Sequence, residues 1–330
     1  MLLCLISSCS NRLHFSTNNY DVYIAGSTES KDSVPVALYW KNGTAVALTK
    51  GLSPASAFSN SVYGTVVYTA VVENKGTVRV AEYWKNDSVR ILSNTVFPAS
   101  TTGIAVASPD VYTCGSNSNA ISGSVAGYWK NQVRINLVDS TQISTSTAIA
   151  IAGNSIFISG TTGGSLKTPV YWQNGQVINL SAPTADAGVN AIVPTGSGIY
   201  TAGYTGSFNL HTAKYWKNSV ETSLSDGSGD CRANGIFVAG NNIYIAGSAT
   251  SGKVSVARYW IDGTAINLTN GLFNAAATDI AVVNSDIYVV GYESNGKVNV
   301  AKYWKNGVPV ALSDGSRNSV ANHILLVPLN

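Results

Sequence analysis

The sequence predicts an all-β fold: a seven-bladed β-propeller of four-stranded antiparallel blades, closed by pairing the C-terminal strand with the N-terminal blade. Three observations predict it. The pair Tyr-Trp occurs seven times, ending at Trp40, Trp84, Trp129, Trp172, Trp216, Trp260 and Trp304, with steps of 44, 45, 43, 44, 44 and 44 residues. A fixed period in this range is the mark of a repeat architecture. Each period holds four strand-length segments separated by turn residues, and none holds a helical apolar pattern. Finally, 45% of residues are hydrophobic but only 11% are charged, far below the roughly 25% of an average soluble domain. Gly, Ser, Thr and Asn fill the difference, as short strands joined by tight polar turns require.

Residues 276–312 show the unit. Ala277 to Val282 alternates and predicts a first strand, A, followed by a turn at Asn284-Ser285-Asp286. Ile287 to Gly291 is strand B, and Tyr292 to Lys297 reads as a polar loop. Val298 to Trp304 is strand C. Asn306-Gly307 predicts a type I′ hairpin, whose twist matches that of the strands. Val308 to Leu312 is strand D; Pro309 suits an outer edge, where a missing N–H is harmless. Four antiparallel strands per repeat, seven times over, make a propeller. The units lack the Gly-His and Trp-Asp pairs of WD40 repeats.

The ends complement each other. The first unit starts at strand B, Val22 to Gly26, without an A strand; Val320 to Val327 is an A strand without a B. Pairing the two would close the ring and hide its edges. Residues 20–330 are thus expected to form one propeller domain, a monomer, behind a leader and linker of residues 1–19.

The leader, Met1-Leu-Leu-Cys-Leu-Ile-Ser-Ser-Cys9, is apolar and ends in small residues, like the later part of a secretory signal. Ile6-Ser-Ser-Cys9 resembles a bacterial lipobox, which would make Cys9 the acylated N-terminus of an exported lipoprotein at the outer membrane or cell surface. No Lys or Arg precedes the apolar run. A lipid on Cys9 would be the contact with membrane. The net charge of +3 is spread along the chain, with no clustered basic footprint for nucleic acid. Cys114 takes a slot that is small in most repeats and reads as a core residue. Cys231 reads as a loop residue three blades away, too far for a bridge.

The recurring A-x-Y-W-K-N-G, a short strand ending in Leu, and a following A-x-x-I resemble the extracellular bacterial repeats of HAF type over residues 21–327. The family's opening His-Ala-Phe is replaced here by variants such as Ala301-Lys-Tyr-Trp304. The resemblance implies secretion and blade topology and is nearly silent on activity.

Candidate chemistry is sparse. Adjacent strand residues face opposite ways, so the Tyr and Trp of each pair should pack into the two neighbouring blade interfaces rather than bind sugars. Lys41, Lys85, Lys130, Lys217 and Lys305 follow the Trp and should form a solvated partial ring on one rim. Strand A carries Thr102, Thr147, Asn190, Asn234, Thr278 and Asn322 at one slot, with Phe58 the exception. This ring either forms a small-ligand site at the axis or satisfies inner-strand backbone groups. Next to it, Asp279 and His323 occupy equivalent slots of adjacent blades; a catalytic pair and hydrogen-bonded core groups both fit. Asp226, Ser228 and Asp230 space oxygen ligands like the opening of a calcium loop, without the later bidentate carboxylate; a plain turn fits equally. No other cofactor is expected.

Two functions compete. One is a non-catalytic, surface-anchored binding or protein-interaction propeller, its partner an unknown protein or glycan. The other is an extracellular glycan-active enzyme or lectin-like sugar binder, with its site at the axial mouth formed by Asn190, Asn234, Thr278, Asn322, Asp279 and His323. An enzyme should break the repeat with long loops rich in Asp, Glu, Arg or His. The period varies by one residue, which favours binding.

Overall fold

A computed structural model describes residues 20–121 and 123–329. Cys9, Cys4 and His14 lie outside the described residues. Among those described, seven four-stranded antiparallel sheets are arranged as blades, and no helix is long and apolar enough to cross a membrane. Blade 1 joins Ser319–Pro328, as strand A, to Tyr20–Glu29, Pro35–Lys41 and Thr44–Ala47. The strands A of blades 2 to 7 are Ala55–Tyr63, Ala99–Ala107, Ser144–Ala152, Asp186–Thr195, Cys231–Ala239 and Ala275–Val283. Tyr20 pairs with Pro328 and Thr28 with Ser319, so the first and last described strands close the ring. The boundaries differ in detail from expectation. In blade 7, strand B continues to Ser294, through residues read as loop, because Tyr292 and Glu293 still find partners on both flanking strands. Cys231 opens a strand rather than lying in a loop, and it and Cys114 are buried, free thiols.

Each blade uses its C–D turn twice. Asn306 and Gly307 have φ of 51° and 83°, the type I′ pattern. The Asn306 side-chain oxygen then accepts the N–H of Ile287, the first free donor of strand B. Asn42, Asn86, Asn131, Asn174, Asn218 and Asp262 do the same in the other six blades. This explains the Asn of the repeat: it tolerates positive φ and caps a strand.

The aromatic pairs hold neighbouring blades together. Tyr303 of blade 7 lies in one cluster with Trp40 of blade 1; Tyr83 lies with Trp129, Tyr171 with Trp216 and Tyr259 with Trp304. Six of the seven tryptophans are fully buried. Their rings rest on a glycine of strand B. A Cβ on Gly26, Gly160 or Gly247 would stand 2.8 to 2.9 Å from the ring of Trp40, Trp172 or Trp260. Blade 2 departs from this. Val71 fills the glycine slot, and Trp84 is only half-buried. Its indole N–H donates to Glu82 at 3.0 Å, and Lys75 reaches the same carboxylate at 3.0 Å. Burial pushes the Glu82 carboxyl up, with Lys75 and Trp84 opposing.

The lysines after Trp are not simply solvated. Lys41, Lys130 and Lys305 pair with Asp21, Asp110 and Asp286 at 2.7 to 2.8 Å. Lys41, Lys85, Lys130, Lys217 and Lys305 also lie over the tyrosines of strand B, 5.2 to 5.7 Å from the ring centroids. Their charge is turned back onto the blade.

Candidate functional site

Every strand A is interrupted at the same place. The register with strand B shifts between Ala57 and Ser59, Thr101 and Gly103, Ser146 and Ala148, Val189 and Ala191, Ala233 and Gly235, and Ala277 and Asp279. In blade 1 the shift skips Asn322. The skipped residue in each blade is the ring residue. A bulge bends the strand and re-aims its side chains, and here it brings two successive residues per blade to the axis.

Six of the seven skipped residues are polar, and all six link one blade to the next. Asn190, Asn234 and Asn322 each donate at 2.8 Å to the carbonyls of Ala233, Ala277 and Ala57. Thr278 donates to Ala321 at 2.7 Å and Thr102 to Ser146 at 3.1 Å; Thr147 donates to Val189. The six residues thus bond around the axis, each to the blade that follows. Phe58 of blade 2 has no group to give, and the circle is open there. Of the two roles the sequence allowed, the donors serve the backbone one.

Below this circle lies an axial cavity of about 400 Å³. Its lining runs from Phe58, Thr102 and Asn190 to Val283 and Pro328, which end strands A of blades 7 and 1. It therefore extends toward the face of the A–B turns. Ile104, Ile149, Ile192, Ile236, Phe237 and Leu326 are among its apolar lining. Tyr204, Phe208 and Tyr292, whose aromatic rings sit on strands or loops away from the axis, are not among the lining residues.

The polar groups below the circle are confined to blades 7, 1 and 2. The slot after the ring reads Ser59, Gly103, Ala148, Ala191, Gly235, Asp279 and His323. His323 Nε2 lies 3.8 Å from Asp279 Oδ2. The Asn60 backbone N–H donates to His323 Nδ1 at 3.3 Å, and that of Ile324 donates to Asp279 Oδ2 at 3.0 Å. Burial pushes the Asp279 carboxyl up, His323 opposing; burial pushes the His323 imidazole down, Asp279 opposing. Gly235 makes room for this carboxylate: a Cβ there would stand 2.5 Å from Asp279 Oδ1. The sequence thus located the pair, and the structure brings it to the cavity wall. It did not single out Asn60, although Asn60 visibly replaces the isoleucine of the other six blades. Asn60 is buried and accepts from Thr69 at 2.9 Å.

The three oxygen ligands at Asp226-Gly-Ser-Gly-Asp230 do not converge on one point: Asp226 and Ser228 bond to each other, and Asp230 turns elsewhere. Asp226 accepts from both the N–H and the hydroxyl of Ser228, which hold its carboxyl below the usual range. Asp230 turns to His211 Nδ1. Among the described residues no group of three or more His, Cys, Asp or Glu is arranged to hold a metal. Instead, His211 is fully buried between two carboxylates, with Nε2 3.0 Å from Asp186. Lys167 meets Asp186 at 2.5 Å, and the Arg232 guanidinium covers Tyr204, which packs edge-on to His211. Burial works against charge on Asp186, but Lys167 and His211 outweigh it and hold the carboxyl below its usual range. Lys167, His211 and Arg232 come from blades 4, 5 and 6, so this network ties three blades. The sequence carried a signal that was not singled out: Lys167 and His211 share the slot five before Trp, and Asp186 and Asp230 share the slot four before the ring residue, 19 residues further along in each case.

No protein-family model and no curated protein matches the chain. Among solved structures, the chain is similar to the β-propeller domain of the Trilobed protease from Pyrococcus furiosus, a structure described as revealing an open velcro topology. The match has a TM-score of 0.40 at 10% identity and covers 79% of this chain and 99% of that one. The propeller assignment stands on the sheet order and closure described above.

Proposed function

We propose that this chain is a non-catalytic binding propeller, exported and held at a bacterial surface by a lipid on Cys9. Its candidate site is the axial cavity, with Asn190, Asn234, Thr278, Asn322, Asp279 and His323 at its polar end. One observation carries the non-catalytic reading. The only Asp–His pair of the cavity has its basic nitrogen occupied, because His323 Nδ1 accepts the Asn60 N–H. A general base needs that lone pair free and within reach of a proton to abstract. The cavity volume falls in the range of about 300–1,000 Å³ typical of small-molecule sites. The resemblance to HAF-type repeats supports export, and the lipobox-like Ile6-Ser-Ser-Cys9 supports the anchor.

A glycan and metabolite binding screen on the full chain, followed by crystals soaked with each hit, tests the reading. A ligand seated in the axial cavity and released unchanged is expected; turnover of a hit overturns it. Mass spectrometry of the mature N-terminus after expression with a complete signal tests the anchor. An unmodified Cys9 removes it.

A further inference from the structure

We propose that the axial cavity takes a small amphiphilic amine, its cationic head on Asp279 and its apolar body along the aliphatic wall. This inference rests on the reading of the cavity as a binding site and names its ligand class. Three observations carry it.

The first is charge. No Lys or Arg is among the residues that line the cavity. Asp279 therefore faces it with only His323 as a cation-capable neighbour among them, and that ring is 3.8 Å away. The Asn60 N–H on Nδ1 leaves the ring proton on Nε2, so the imidazole turns a neutral N–H toward Asp279, at 3.8 Å too far for a hydrogen bond. A buried carboxylate without a countercharge is costly. A cationic ligand supplies the missing charge, whereas an anion would meet Asp279 with nothing to balance it.

The second is the state of the ring above. The Thr278 hydroxyl proton and one amide hydrogen each of Asn190, Asn234 and Asn322 are committed to backbone carbonyls of the next blade. Each of these side chains still presents its acceptor oxygen, and an ammonium is a donor with no acceptor. A polyhydroxylated ligand needs donors as well as acceptors, and part of the ring's donors is already used by the fold.

The third is shape. Polar groups gather at one end, in blades 7, 1 and 2, while Ile149, Ile192, Ile236 and Phe237 line the opposite arc. A ligand with one charged end and one apolar body matches this division. Burial pushes the Asp279 carboxyl up, and a cation beside it would push it back down.

Titration calorimetry of the full chain with three related probes tests the proposal: 2-phenylethylamine, 2-phenylethanol and 3-phenylpropanoate. The amine should bind about tenfold or more tightly than the alcohol, the difference a charge-assisted hydrogen bond makes, and the carboxylate should bind weakest. Asp279→Asn keeps an oxygen for the Ile324 N–H, so the fold should survive, as its melting temperature will show. This variant should lose the preference for amine over alcohol. Ala148→Leu fills the wall away from Asp279 and should weaken amine and alcohol alike. Equal binding of amine and carboxylate, or an amine preference that persists in Asp279→Asn, overturns the proposal. Alcohol binding without amine preference also overturns it, yet leaves the cavity as a binding site. Failure of all three probes overturns the proposal, and only an empty cavity after the wider screen overturns the binding reading with it.

Discussion

Asn322 donates its side-chain amide to the carbonyl oxygen of Ala57 at 2.8 Å, across 265 residues of chain. The bond joins the blade that closes the ring to the blade after it. Ala57 is fully buried, so its carbonyl has no access to bulk water as a substitute partner. Asn322→Ala should therefore cost about 1–3 kcal/mol, the range for leaving a buried acceptor unsatisfied. Denaturant unfolding measures this. A variant as stable as the parent would show that the circle of bonds adds nothing to the fold.

Closure itself is open to a harsher test. Ser319–Pro328 pairs with Tyr20 through Thr28. Asn318 adds bonds to Glu29 at 3.1 and 3.3 Å. Deleting residues 318–330 removes strand A of blade 1, uncovers Val22 and Ile24, and leaves a free sheet edge. Such an edge is a template for pairing with other chains. The truncated protein should melt lower and aggregate, as differential scanning calorimetry and light scattering would report. Parent-like melting would exclude the described closure as a source of stability.

Acid should unfold the protein, and the responsible carboxylates can be named. Lys130 and Asn131 hold Asp110 below its usual range, as Lys305 and Asn306 hold Asp286. At Asp21 and Asp186 burial opposes the charge, but Lys41 and Asn42 outweigh it at the first, and Lys167 and His211 at the second. A carboxyl depressed on folding contributes stability that is present above its unfolded pKa and lost as pH falls through its folded one. These four groups thus lose their contribution below the ordinary aspartate range of about 4. His323 adds a loss at higher pH. Burial pushes its pKa down, so the unfolded chain binds a proton first as pH drops below about 6.5. Melting temperature should fall modestly below that point and steeply below about pH 4. Asp186→Asn should be less stable at neutral pH and flatter in acid. An unchanged acid limb would remove Asp186 from the account.

The fold was legible because a propeller repeats its physics. Tyr-Trp and the Asn or Asp that opens the C–D turn each serve one packing or turning task, seven times. The unmatched strands at Val22 and Val320 disclosed the closure for the same reason. The site was legible only where a residue departed from its slot and remained polar, as Asp279 and His323 do. The bonding of the ring residues was not legible, since an Asn or Thr at a bulge looks the same whether it faces a ligand or a carbonyl. The His211 network was readable in part, since Lys167 and His211 share one slot and Asp186 and Asp230 another; what the repeat could not show is that His211 also reaches back to Asp186, which joins the two pairs.

Tyr-Trp as structural glue makes a comparison between two tryptophans decisive. Trp216 is fully buried, packs with Tyr171 of the preceding blade, and donates to Ser181 at 2.9 Å. Trp84 is half-buried, displaced where Val71 replaces the glycine of the other blades, and tied to Glu82. Replacing a buried tryptophan by alanine costs about 3–5 kcal/mol, through lost transfer energy and the cavity left behind. Trp216→Ala should show that full cost. Trp84→Ala should cost less, because part of its ring already meets water and Lys75 still holds the Glu82 carboxylate. Urea unfolding of both variants, with the amine, alcohol and carboxylate probes titrated into each, gives the answer. Trp216→Ala that melts like the parent but no longer binds a ligand would reverse the assignment and turn the aromatic ring into a recognition surface. Equal losses in the two variants would instead mean that the glycine slot does not govern how deeply each tryptophan packs.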